Sequence, residues 1–88
     1  MQVTATDLDA VIRAALNPEQ LVVNDDSHQH AGHAGAREGS HFSVRIVSAA
    51  FTGQTRVARH RLVYDAAAAY MNKGIHALAI DARAPGES

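Results

Sequence analysis

The chain has 88 residues, eight Lys or Arg against nine Asp or Glu, six histidines, and neither Cys nor Trp. A chain this short folds around one small aliphatic core, burying only about 60% of the surface that its unfolded form exposes. The missing thiols exclude disulfides, Cys-type zinc sites, thiol nucleophiles and any iron–sulfur cluster held by this chain's own sulfur.

No stretch approaches the ~18 apolar residues of a membrane span, and no charged–apolar–small leader opens the sequence. The expectation is a soluble protein of the bacterial cytoplasm or the mitochondrial matrix, with no membrane partner. Charge is unevenly spread. Residues 1–40 carry Arg13 and Arg37 against Asp7, Asp9, Glu19, Asp25, Asp26 and Glu38, a balance of −4. Residues 51–76 carry Arg56, Arg59, Arg61 and Lys73 against Asp65, a balance of +3. An acidic front and a basic middle suit either a mixed solvated surface or a polyanion-binding face.

In chain order, Thr6 is a candidate N-cap, with Asp7 and Asp9 suited to a helix first turn. Leu8, Val11, Ile12, Ala15 and Leu16 then recur at helical spacing, one apolar stripe on an amphipathic helix over residues 6–17. Pro18 ends it by restricting Asn17. Residues 20–26 alternate as a strand, with Leu21 and Val23 on one face and Val22 and Asn24 on the other. A second strand runs from His41, with Phe42, Val44 and Ile46 facing one way and His41, Ser43, Arg45 and Val47 the other. Residues 51–53 break it.

Residues 56–73 read as helix, one division being a short turn around residues 55–58 before a longer segment. Val63, Ala67, Tyr70 and Met71 share its core side, widened by Leu62, Ala66 and Ala69, and Gly74 takes the left-handed stop position. Residues 75–82 form a third strand, with His76 in phase with Leu78 and Ile80, and residues 83–88 read as a loose tail. A helical crossover from the second strand to the third favours a parallel connection. The prediction is a single α+β domain over residues 1–88, with its core at about 5–82. It has two layers, a three-stranded mixed sheet carrying helices on one face.

Between the first two strands, residues 27–40 show no periodicity, and uninterrupted loops of about fourteen residues are uncommon unless functional or disordered. This loop is rich in glycine and holds His28, His30 and His33, with His41 just beyond it. Imidazole is the commonest protein metal ligand. With no cysteine in the chain, metal chemistry here would use histidine or carboxylate, or a partner's sulfur. The basic cluster Arg56, Arg59, His60 and Arg61 is a candidate phosphate-binding segment. Yet the Gly-x-x-Gly clamp of KH domains is absent, the chain having Gly53-Gln54-Thr55-Arg56, and no aromatics interleave for base stacking. No paired carboxylates or nucleophile motif stand out, so no enzyme activity is expected.

Five stretches, in order and at compatible spacing, resemble the BolA family over roughly residues 5–86. They are Asp-Asp-Ser-His-Gln-His-Ala-Gly-His-Ala-Gly, Ser-His-Phe-Ser-Val-Arg-Ile-Val-Ser, Phe-Thr-Gly, Arg-His-Arg-Leu-Val-Tyr and Gly-Ile-His-Ala-Leu-Ala-Ile. The resemblance implies an αββααβ domain similar to the class II KH fold. It also implies an adaptor, monomeric alone, that forms a heterodimer with a monothiol glutaredoxin in iron–sulfur cluster trafficking, assembly or iron sensing. In that picture a [2Fe–2S] cluster is shared, with glutaredoxin and glutathione supplying sulfur, this chain supplying histidine, and the isolated chain binding none. The ligands implied are His76, opening the last strand, and a loop residue that in this cysteine-free chain is a histidine. Family spacing counted from Ser27 lands on His30, and counting back from His41 leaves His33 as the alternative. Some family members act as DNA-binding transcriptional regulators, which makes DNA the alternative partner and residues 56–61 its contact.

Overall fold

The computed structural model describes residues 3–26 and 40–87. Helix α1 (Ala5–Leu16) begins one residue earlier than the sequence suggests, with Thr4 rather than Thr6 as its N-cap. The reason is a reciprocal pair. The Asp7 N–H donates to Thr4 Oγ1 at 3.1 Å, and the Thr4 N–H donates to Asp7 Oδ2 at 2.9 Å. This capping box satisfies two donors that the first turn would otherwise leave open. Leu8, Ile12 and Leu16 are buried and Val11 is half-buried, but Ala15 is exposed, so the stripe is narrower than its periodicity implied. Asn17 closes the helix in the left-handed region (φ 44), its N–H bonded to the Arg13 carbonyl.

Strand β1 (Gln20–Asp25) pairs antiparallel with β2 (Ser40–Val47), Leu21 opposite Ile46 and Val23 opposite Val44. Strand β3 (Ile75–Arg83) pairs with β2 in parallel, so β2 is central in the order β1-β2-β3. Phe42, Val44, Ile46 and Leu78 are buried, with Leu21, Val23 and Ile80 packed against them beneath the helices. On the opposite face Val22, Asn24, Arg45, Ala77 and Ala79 are exposed. The mixed sheet with helices on one face is the α+β architecture that the sequence predicts.

A 3₁₀ turn, Ala49–Phe51, follows β2 and drives Phe51 into the core, where it has no exposed surface and with Phe42 heads the fully buried side chains, so the core is not the aliphatic one expected from sequence. Ser48 fixes that turn. Its hydroxyl accepts the Ala50 N–H at 3.1 Å and donates to the Leu16 carbonyl at 2.6 Å, tying the end of α1 to the end of β2. Ser48→Ala would leave a buried carbonyl and an N–H without this partner. We expect a loss of about 1–3 kcal/mol of stability in urea denaturation, while an unchanged midpoint would mean that water replaces the hydroxyl.

Helix α2 (Arg56–Ala66) is capped by Thr55, and a four-residue helix α3 (Ala68–Met71) follows. The division therefore falls at Ala67 rather than at residues 55–58. Ala67 is fully buried and Val63 packs beside it in the core, whereas Ala69 is exposed and does not widen the apolar side. Gly74 has φ 102, the left-handed stop expected of it.

The end of the chain corrects the loose-tail expectation. β3 continues to Arg83, whose carbonyl accepts the Ser48 N–H at 2.9 Å, and Ala84 is buried. Pro85 and Gly86 (φ 89) then turn the chain so that the Glu87 N–H reaches the Ala84 carbonyl at 3.1 Å. Pro followed by Gly is the sequence signature of a type II turn.

Candidate functional site

Two regions carry the side chains that the sequence singles out. The first is the end of the sheet where the histidine loop begins and ends. Asp25 pairs with Phe42, and the Asp26 N–H extends that ladder to the His41 carbonyl at 2.7 Å. Both stems of the loop therefore leave from the same sheet end. His30 and His33 themselves, with His28, lie outside the described residues. Because β3 runs parallel to β2, it starts where β2 starts, with Ser40 opposite Ile75 and His41 opposite Ala77. An antiparallel β3 would have opened at the far end of the sheet. Neighbouring strands lie about 4.8 Å apart, so the His76 backbone stands roughly one strand spacing from the loop's C-terminal stem.

The same register contains an irregularity. One step along β2, from Ser40 to His41, matches two steps along β3, from Ile75 to Ala77. His76 is the extra residue of a β-bulge. Its consequence shows in the core. Ile75 and Leu78, three residues apart, both pack against it, which a strand with strict two-residue alternation does not allow. The alternation that placed His76 in phase with Leu78 and Ile80 is thus interrupted at His76 itself. Bulges are enriched beside functional sites because they re-aim a side chain without ending the strand.

The second region is the basic segment. Arg56, Arg59 and His60 line a cleft of about 530 Å³ between α2 and β3, together with Gln54, Arg83 and Glu87. Arg61 is exposed and does not line it. Arg59 has the most contacts of the four. Its Nε donates to the Gln54 carbonyl (2.9 Å) and Nη1 to the Ala82 carbonyl (3.3 Å). Nη1 and Nη2 also clasp the two carboxylate oxygens of Glu87, at 2.5 and 2.9 Å. The Glu87 carboxylate additionally accepts the Ala84 N–H (3.0 Å). Charge in this cleft is therefore more balanced than the sequence suggests. Asp81 pairs with Arg83 at 2.9 Å and lies 3.9 Å from Arg45, and the Arg83 hydrogen bond holds its carboxyl below the ordinary range. Glu87 and Arg83 were missed from sequence, although the Pro85-Gly86 turn that delivers Glu87 was legible.

Glu87 is lowered to about 2, first by the Arg59 hydrogen bond and second by the Ala84 N–H. Its folded value lies below its unfolded value of 4.5, so the clasp is fully present above about pH 4.5 and weakens as pH falls toward 2. In a carboxyl-carbon NMR titration Glu87 is expected to titrate near the lower value. A midpoint near 4.5 would mean that the clasp is open in solution.

The family model for BolA-like proteins matches residues 12–87. The chain is 44% identical over 81 residues to "Protein BOLA1, chloroplastic" of Arabidopsis thaliana, covering 88% of this chain and 51% of that one, about half its length. It is 40% identical over 73 residues to the "DNA-binding transcriptional regulator BolA" of Escherichia coli K12, covering 83% of this chain and 68% of that protein. The solved BolA domain of SufE1 from Arabidopsis thaliana superposes with a TM-score of 0.84 at 42% identity, covering 100% of this chain and 99% of that one. Among the described residues no helix is long and apolar enough to cross a membrane.

Proposed function

The chain belongs to the BolA-like protein family, and from that premise we propose that it is an adaptor for a monothiol glutaredoxin. In this reading the pair holds a [2Fe–2S] cluster between them, with His76 and either His30 or His33 as this chain's ligands. The observation that carries the reading is the parallel seam between β2 and β3. It brings the backbone of His76, as the extra residue of a bulge, beside the stem of the only other segment rich in histidine. The donor set fits such a group. Two imidazoles are hard-to-borderline nitrogen donors, and the thiolates that this chain lacks come from glutaredoxin and glutathione.

A cluster with imidazole in place of thiolate carries less negative charge and a higher reduction potential. This chain's part is to present neutral ring nitrogens, and because a protonated imidazole cannot ligate, its hold on the cluster weakens in acid. A ligand set shared between two proteins suits transfer or sensing better than permanent storage. The test is to reconstitute the apo chain with a monothiol glutaredoxin, glutathione, iron and sulfide. Visible absorption and circular dichroism should then differ from those of glutaredoxin reconstituted alone. Identical spectra would remove the proposal.

A second reading, a DNA-binding regulator using Arg56, Arg59, His60 and Arg61, is favoured by the local excess of positive charge and by the name of the Escherichia coli relative. It is weakened by the engagement of Arg59 with Glu87 and by Arg61 lying off the cleft.

A further inference from the structure

The floor of the cleft beside α2 is the outer edge of a β-strand. β3 is an outer strand of the sheet. At its end the Arg83 carbonyl faces β2, where it accepts the Ser48 N–H, while the preceding Ala82 carbonyl faces the other way and accepts from Arg59. Backbone polar groups alternate in this manner along a strand, so Ile80, two residues earlier, presents its N–H and C=O to the open side as Ala82 does. Ile80 and Ala82 both line the cleft. A sheet edge with open backbone groups is a template for another strand.

We infer that this cleft binds an extended acidic peptide segment of a partner protein, which adds as a strand along Ile80–Ala82 and takes the place of Glu87 on Arg59. The chain's own tail shows the recognition chemistry. After the Pro85-Gly86 turn, Glu87 sets a carboxylate against the Arg59 fork in the two-point geometry that guanidinium favours. Arg56, exposed on the first turn of α2, lines the same cleft and offers further positive charge to a carboxylate ligand, with the His60 ring beside it on the next turn. The Glu87 half of this pair is open to solvent and screened by it, so a peptide making backbone bonds as well can displace it.

Nucleic acid fits these features less well. The alternating donors and acceptors of a strand edge match another peptide backbone and have no counterpart in a phosphodiester chain. This inference does not rest on the histidine ligands, and its probe contains no metal, so the two stand or fall separately.

The experiment uses the full chain and a fluorescein-labelled six-residue peptide alternating Glu and Val, followed by fluorescence anisotropy at fixed salt. Binding is expected, with Arg56→Gln weakening it and Glu87→Gln tightening it by up to about fivefold, the equivalent of the exposed pair removed. The same peptide N-methylated at alternate amides, which keeps the charge but removes strand pairing, is expected not to bind. Amide exchange at Ile80 and Ala82 should slow in the complex. Equal binding of the methylated peptide, or Glu87→Gln leaving affinity unchanged, overturns the inference. So does a twelve-base-pair DNA duplex that binds while the peptide does not, which would return the cleft to the nucleic-acid reading.

Discussion

His76→Ala is expected to return the visible circular dichroism of the reconstituted mixture to that of glutaredoxin and glutathione alone. In the proposed arrangement the variant removes one of this chain's two ligands, the other being a loop histidine. With no cysteine to substitute, the remaining histidine would have to hold its half of the cluster as a single ligand. The fold should survive the change. His76 is the extra residue of the bulge rather than a member of a facing pair, and alanine is compatible with that backbone. Far-ultraviolet circular dichroism should therefore overlay the parent. Parallel variants His30→Ala and His33→Ala divide the loop assignment. The true loop ligand should reproduce the His76 phenotype, and the other should leave the spectrum intact. A parent-like spectrum from His76→Ala would remove this residue from the ligand set, whatever the loop variants do.

The largest effect on stability is expected from Phe51→Ala, a loss of about 3–5 kcal/mol. Phe51 is completely buried and is one of only two large aromatic side chains at the centre of the core, with Phe42. It is delivered there by the 3₁₀ turn that Ser48 caps, wedged between the end of β2 and the start of α2. Domains of this size have a total stability of roughly 4–13 kcal/mol at 0.05–0.15 kcal/mol per residue, so the variant loses a large share of what holds the chain folded. The thermal midpoint should fall by roughly 12–40 °C, at about 4–8 °C per kcal/mol. Val57→Ala, at a position 69% exposed, should shift stability by no more than about 0.5 kcal/mol. Similar urea midpoints for the two variants would show that the cavity at residue 51 refills.

The elements read from sequence are those whose signals are local and repeated. The Leu8, Ile12 and Leu16 spacing, the alternation of Phe42, Val44 and Ile46, and the Gly74 stop each depend on one segment alone. Thr4 was passed over because Thr6 also precedes the apolar run, and only the return bond from Asp7 distinguishes the two. The break at Ala67 had no marker, since alanine is the best helix former and neither Gly nor Pro stands nearby. The bulge at His76 was invisible for a deeper reason. It is a property of the register between β2 and β3, which no single strand encodes. The Arg59–Glu87 clasp joins residues 28 apart, and only the turn that makes it possible was written locally. For the ligand set, composition showed only that this chain has no thiolate of its own to give. The choice between His30 and His33 lies outside the described residues.

The parallel seam between β2 and β3 also sets a timetable. Ser40 meets Ile75 across it, two residues 35 positions apart, and β3 is the last element of the domain. On a ribosome adding about 5–20 residues per second, the histidine loop emerges seconds before the strand that bears His76. During that interval the proposed pairing of a loop histidine with His76 cannot yet exist. The two-armed arrangement comes into being once the crossover helices have docked and the final strand has closed on the sheet. Any metal or partner that requires both arms is thereby reserved for chains in which β3 has closed on β2.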